Sequence, residues 1–117
     1  MIEVYFSSKI YSMANKLIAI ASEKLIHSES YPKHYAHLEI GMVTLLKPNE
    51  NYPMHGDGKG YINIVTFLNN NGGMRFKNLD VTAFKGLSIK FNTEILHQPY
   101  TTTKSRWALL QRQWKLK

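Results

Sequence analysis

From Leu38 onward the chain reads as one short strand after another, and this series constrains the fold more than any other feature. Apolar residues there either alternate with polar ones or form runs too short for a helix. The expected strands are Glu39–Leu46, Tyr52–Asp57, Tyr61–Leu68, Met74–Phe76, Asp80–Phe84, Leu87–Asn92, Ile95–Thr101 and Arg106–Lys115. Turn residues separate them at Pro48-Asn49-Glu50-Asn51, Gly58-Lys59-Gly60, Asn69-Asn70-Asn71-Gly72-Gly73 and Lys85-Gly86. The Asn/Gly cluster is expected as a hairpin loop, because both residues tolerate positive φ. Eight such strands leave open edges unless the sheet closes or two sheets pack together, and a jelly-roll barrel does both.

The chain ahead of this series reads as support. Met1–Phe6 alternates loosely, as a short strand does, and Ser7-Ser8 is placed to cap a helix after it. Ile10, Met13, Ala14, Leu17, Ile18, Ala21 and Leu25 recur at helical spacing, so residues 9–27 are expected as an amphipathic helix. Lys9, Asn15, Lys16, Ser22 and Glu23 form its polar face, which suits a helix packed on one side of a sheet better than a partner-binding helix. Residues 28–37 are polar and contain Pro32, so they read as a loop. His27, His34 and His37 lie in or beside it. His34 and His37 would share a face only on a helix, so no second metal site is expected. One domain over 117 residues is therefore expected, with 1–37 supporting a barrel core over 38–117.

Composition removes several function classes. Cysteine is absent, which excludes disulfides and thiolate chemistry and fits a cytoplasmic protein. No apolar run approaches the ~20 residues needed to span a bilayer, and the N-terminus lacks the pattern of a signal peptide, so no membrane association is expected. The net charge of +7 fits a solvated basic surface, an acidic partner, or recruitment of small anions. Basic residues are spread along the chain, with a mild cluster in Lys104, Arg106, Arg112, Lys115 and Lys117, so charge alone names no partner.

The chemistry concentrates in Tyr52-Pro53-Met54-His55-Gly56-Asp57-Gly58. On a strand, His55 and Asp57 point to the same side. With His97 from a distant strand they make two imidazoles and one carboxylate, a set that suits a non-haem Fe(II) with open positions. His-x-Asp alone is a weak signal in a chain with five histidines. The flanking glycines strengthen it, because they leave space and let the chain bend. His97 taken alone reads as an ordinary half-buried strand histidine. Arg106 taken alone reads as a surface arginine. Along the last strand, however, Arg106, Ala108, Leu110 and Arg112 share one face, as in a pocket holding an anion in an apolar lining.

These residues, with their surroundings, carry a family resemblance. His55-Gly56-Asp57, Phe67-Leu68-Asn69, Gly72-Gly73-Met74-Arg75-Phe76, Lys85-Gly86-Leu87-Ser88-Ile89-Lys90-Phe91, His97, Ser105-Arg106-Trp107-Ala108-Leu109 and Trp114 succeed one another in a familiar order. The chain from Gly41 onward resembles the 2-oxoglutarate and Fe(II)-dependent dioxygenases, and within them the prolyl 4-hydroxylase-like branch. The resemblance implies a double-stranded β-helix with helical support, mainly β. It implies His55, Asp57 and His97 as iron ligands and catalytic centre, and Arg106 as the partner of the distal carboxylate of 2-oxoglutarate. Dioxygen would be the oxidant, with ascorbate a further cofactor. The substrate would be a protein side chain such as proline, or a small molecule.

The chain also departs from the family. Many relatives place tyrosines on the first core strand and just before the Leu-Asn pair; here those positions fall near Leu46 or Lys47 and at Phe67. Tyr61 or Tyr52 would then supply the missing hydroxyl, and Asn63, on the alternating face of Tyr61, Val65 and Phe67, would also reach the pocket. Arg106 and Arg112 have the R-x5-R spacing of AlkB-like nucleic-acid demethylases, where the second arginine assists the cosubstrate. That gives a second reading, and a non-catalytic cupin-like ligand-binding barrel gives a third.

Overall fold

Ten strands and one helix make up the regular structure of residues 1–114, the portion described by the computed structural model. They are β1 (Ile2–Phe6), α1 (Ser8–Ser22), β2 (Ile26–His27), β3 (His34–Leu38), β4 (Gly41–Leu46), β5 (Tyr61–Phe67), β6 (Gly73–Phe76), β7 (Leu79–Thr82), β8 (Leu87–Asn92), β9 (His97–Tyr100) and β10 (Arg106–Trp114). The expected end of the last strand, Lys115, lies outside the described residues. The strands form a seven-stranded sheet, in the order β1-β8-β5-β10-β4-β3-β2, and a three-stranded sheet, β7-β6-β9. The architecture is the mainly β jelly roll expected from the strand series, with one helix on the outside. Among the described residues no helix is long and apolar enough to cross a membrane.

Side-chain alternation builds two cores from one sheet. On β10, Ala108 joins the cluster between the sheets with Val65, Phe67, Met74, Phe76 and Phe91. Its neighbour Leu109 points the other way, against Ile10, Ala14, Leu17 and Ala21 of α1. The helix therefore covers the outer face of the large sheet. Each large apolar side chain buried there contributes roughly 1.5–3 kcal/mol. Ser7 caps α1 by accepting the Ile10 N–H at 3.3 Å.

Several boundaries differ from expectation. The helix ends at Ser22 rather than at residue 27, because Ile26–His27 pair with Tyr35–His34 as strands. Leu25 still packs on the helix-side core, which is why the apolar spacing runs on past the helix. The supposed loop over 28–37 contains most of β3, which pairs with β4 through a turn at Glu39-Ile40, so Glu39–Leu46 is not one strand. His34 and His37, three apart on a strand, fall on opposite faces. Tyr52–Asp57 is not a regular strand. It meets β9 through the isolated bridge His55↔His97, with Asn51↔Tyr100 just ahead of it and Gln98 Nε2 donating to the Tyr52 carbonyl at 2.9 Å, and forms no continuous ladder, since Pro53 has no N–H to donate. Asn69–Gly73 is not a hairpin loop. It carries the chain from β5 in the large sheet to β6 in the small one. Gly72 makes that crossing at φ 72°, where an added Cβ would lie 2.2 Å from the Tyr100 carbonyl oxygen.

Candidate metal centre and anion pocket

The bridge between His55 and His97 fixes the heart of the site. His55 N–H donates to the His97 carbonyl at 2.9 Å, and His97 N–H donates back at 2.8 Å. The two rings are thereby held with centroids 4.5 Å apart. Asp57 is anchored separately, its N–H donating to the Thr93 carbonyl at 2.7 Å. The buried Thr93 hydroxyl also donates to the Gly58 carbonyl, so the end of β8 pins the segment that carries the carboxylate. Sequence reading did not single out Thr93, because a threonine at a strand end has no signature of its own.

Backbone contacts set both imidazole tautomers. Nδ1 of His55 lies 2.7 Å from the Pro53 carbonyl, and Nδ1 of His97 lies 2.7 Å from the Ile95 carbonyl. A carbonyl only accepts, so each Nδ1 carries the proton and each Nε2 keeps a free lone pair. Those Nε2 atoms lie 3.7 Å and 3.6 Å from the two oxygens of Asp57. The ligand atoms of His55, Asp57 and His97 all fall within 4.8 Å of one another. His97 is buried, with Phe91 edge-on at 4.9 Å, and desolvation holds its pKa below the ordinary histidine value. Burial thus favours the neutral form, whose Nε2 lone pair is free to donate.

The three side chains sit on the wall of a cavity of about 530 Å³. Met42, Leu46, Val65, Met74, Ala108 and Leu110 make much of its lining apolar. Arg106 lies in the same lining, only 3% exposed. Its Nε and Nη2 have no hydrogen-bond partner among the described residues. Its guanidinium stands 5.2 Å from the Phe67 ring, and desolvation pushes its pKa down to about 10, which leaves it charged at neutral pH. A buried, charged and unpartnered guanidinium is costly unless an anion completes it.

The remaining candidates divide. Tyr52 lines the cavity; its hydroxyl accepts the Lys33 N–H at 3.0 Å and keeps its own hydrogen to donate. Burial raises its pKa to about 12. Asn63 and Arg112 also line the cavity, but both are bonded to Asp57. Tyr61 lies outside the lining, packed at a tilt against Trp114 with ring centroids 4.4 Å apart. Tyr31 and Pro32, from the segment read as a plain loop, form part of the cavity wall, and no residue type there announced it.

No protein-family model matches this chain, and no curated protein matches it. Among solved structures it is similar to a viral collagen prolyl hydroxylase from Paramecium bursaria Chlorella virus-1, determined as a 2OG complex. The TM-score is 0.73 at 12% sequence identity, over 99% of this chain and 96% of that one. At that identity the likeness establishes the fold.

Proposed function

We propose that this chain is a 2-oxoglutarate- and Fe(II)-dependent dioxygenase that hydroxylates a C–H bond. One observation carries the reading: two imidazole lone pairs and a carboxylate converge in the same cavity as a buried guanidinium whose Nε and Nη2 have no partner among the described residues. The donor set suits Fe(II), because two neutral nitrogens and one carboxylate from three positions leave coordination sites open. The orphaned atoms of Arg106 suit the far carboxylate of a dicarboxylate such as 2-oxoglutarate. The neighbour of like fold was determined as a 2OG complex, which agrees with this choice of ligand.

When bound, Fe(II) with 2-oxoglutarate and dioxygen would supply the oxidation, giving succinate, CO2 and one oxygen atom inserted into a substrate C–H bond. The chain's own contribution is placement. The Pro53 and Ile95 carbonyls hold His55 and His97 in the ligating tautomer. Arg106 would anchor the cosubstrate at its far end, and the Tyr52 hydroxyl would donate a second hydrogen bond there. The apolar walls exclude water and strengthen that charge pair. Ascorbate would serve to keep the metal reduced.

The substrate is proposed to be a protein side chain such as proline, or a small molecule. The AlkB-like reading drew on the spacing of Arg106 and Arg112, and Arg112 is engaged by Asp57 and Asn63 instead. The test is succinate release with Fe(II) against proline-containing peptides, free proline and methylated oligonucleotides. Stimulation by a peptide or a small amino acid is expected. Stimulation by oligonucleotides alone would move the protein to the demethylases. No succinate with any member, and no binding of 2-oxoglutarate, would contradict an enzymatic role and leave a ligand-binding barrel.

A further inference from the structure

We infer that Asn63 and Arg112 are positioning residues for the Asp57 carboxylate, not contacts to the cosubstrate. The inference rests on the metal-site reading above. Asn63 on β5 and Arg112 on β10 stand directly opposite each other in the antiparallel register. Arg112 Nε donates to Asn63 Oδ1 at 2.8 Å, and Asn63 Nδ2 donates to Asp57 Oδ2 at 3.1 Å. Arg112 Nη2 reaches the same Oδ2 at 3.3 Å, so three side chains close a ring. The ring fixes the amide orientation of Asn63. Reversed, its oxygen would face a carboxylate oxygen and its NH2 would face a guanidinium N–H.

The ring has a consequence for the carboxylate. Both donors fall on Oδ2, which also lies 3.6 Å from His97 Nε2, while Oδ1 faces His55 Nε2 at 3.7 Å. A carboxylate held by two donors on one oxygen cannot rotate freely, so it faces the two imidazoles in one orientation. Arg112 suits this task and lysine does not: one planar fork serves Asn63 through Nε and Asp57 through Nη2, whereas an ammonium is a point charge. Arg112 lies near Tyr61, its Cζ 5.8 Å from the ring centroid, and Tyr61 packs in turn at a tilt against Trp114.

Positioning and simple electrostatics predict opposite signs. By Coulomb's law a guanidinium beside Asp57 opposes a divalent cation, so its removal should tighten metal binding. If its role is to orient the carboxylate, its removal should weaken metal binding, on the order of 10–100-fold as for other partners of metal ligands. The experiment is Mn(II) titration of the full chain without 2-oxoglutarate, by calorimetry and EPR. The proteins are the unaltered chain, Asn63→Leu, Arg112→Met, Arg112→Lys and the Asn63→Leu/Arg112→Met double variant. Each single change is expected to weaken Mn(II) by that factor, with lysine failing to rescue. The double variant should lose little more than the worse single one, because both act through one ring. The visible spectrum of bound Co(II) should change with the carboxylate's orientation. Titration of the Mn(II)-saturated variants should leave 2-oxoglutarate affinity near that of the unaltered chain.

Unchanged or tighter Mn(II) binding in Arg112→Met would overturn the inference. A loss confined to 2-oxoglutarate would overturn it too, and make Arg112 a cosubstrate contact. A lowered melting temperature with intact Mn(II) affinity and Co(II) spectrum would reduce the pair to a strut between β5 and β10. If the unaltered chain itself binds no Mn(II), the metal-site reading fails and takes this one with it, an outcome distinct from any variant-specific loss.

Discussion

Replacing Arg106 with methionine should make the protein more stable while removing its response to 2-oxoglutarate. The side chain is 3% exposed, and its Nε and Nη2 lack partners among the described residues. Desolvation to a pKa of about 10 corresponds to a penalty of roughly 3 kcal/mol on the charged form. The Phe67 ring at 5.2 Å returns part of that, on the order of 1 kcal/mol. An apolar side chain of similar length should therefore stabilise the ligand-free protein by about 1–3 kcal/mol, within the range seen when buried ions are replaced. For a chain of this size that raises Tm by roughly 4–12 °C. Ligand binding moves the other way. Losing the buried partner of a carboxylate costs about 3–5 kcal/mol, or at least ~100-fold in affinity. The assay is thermal unfolding with Mn(II), with and without 2-oxoglutarate. At one hundred times Kd the unaltered protein gains about 2.7 kcal/mol from the ligand, and the variant should gain almost nothing. A variant that melts lower without ligand, yet is stabilised by 2-oxoglutarate as before, would refute the reasoning.

Four other substitutions have defined outcomes. Asp57→Asn and His97→Ala should each lose Mn(II) binding at concentrations that saturate the unaltered protein, with far-UV circular dichroism unchanged; retained binding in either would contradict the convergent site. Tyr52 is held neutral up to about 12 in the fold, whereas an exposed tyrosine ionises near pH ~10. The native state therefore binds more protons between those values, and stability is retained below pH ~10 and falls as pH rises toward 12. Tyr52→Phe should flatten that fall in urea midpoints measured at pH ~9 and ~11; the same slope in both proteins would argue against it. Gly72→Ala should cost about 2–4 kcal/mol in urea denaturation, because a Cβ at φ 72° would lie 2.2 Å from the Tyr100 carbonyl oxygen. A loss under ~1 kcal/mol would mean the crossing is softer than its geometry implies.

The features legible in the sequence were those written in side-chain chemistry and local period. Period-two runs located β5, β8 and β10, and helical spacing located α1. β3 was hidden because its residues His34, Tyr35 and His37 are polar aromatics, and only Ala36 is fully buried. Turn chemistry at Asn69–Gly73 reported the local backbone truthfully, but turn residues say nothing about which sheet the chain enters next. Pro53 was the signal against a regular strand over 52–57; His55 reaches the site through its bridge to His97, and Asp57 through its N–H bonded to the Thr93 carbonyl. Alternation correctly put Arg106 and Arg112 on one face, but their fates differ with what the third dimension supplies. Arg106 lies buried with Nε and Nη2 unpaired among the described residues, while Arg112 meets Asn63, which is 49 positions away and is brought opposite it by the register of β5 and β10.

The measurement closest to the central claim is the visible absorption of the protein mixed anaerobically with Fe(II) and 2-oxoglutarate. A weak charge-transfer band is expected that needs both additions, disappears in Asp57→Asn, and requires far more 2-oxoglutarate in Arg106→Met. A spectrum that stays flat at saturating Fe(II) and 2-oxoglutarate would contradict that claim.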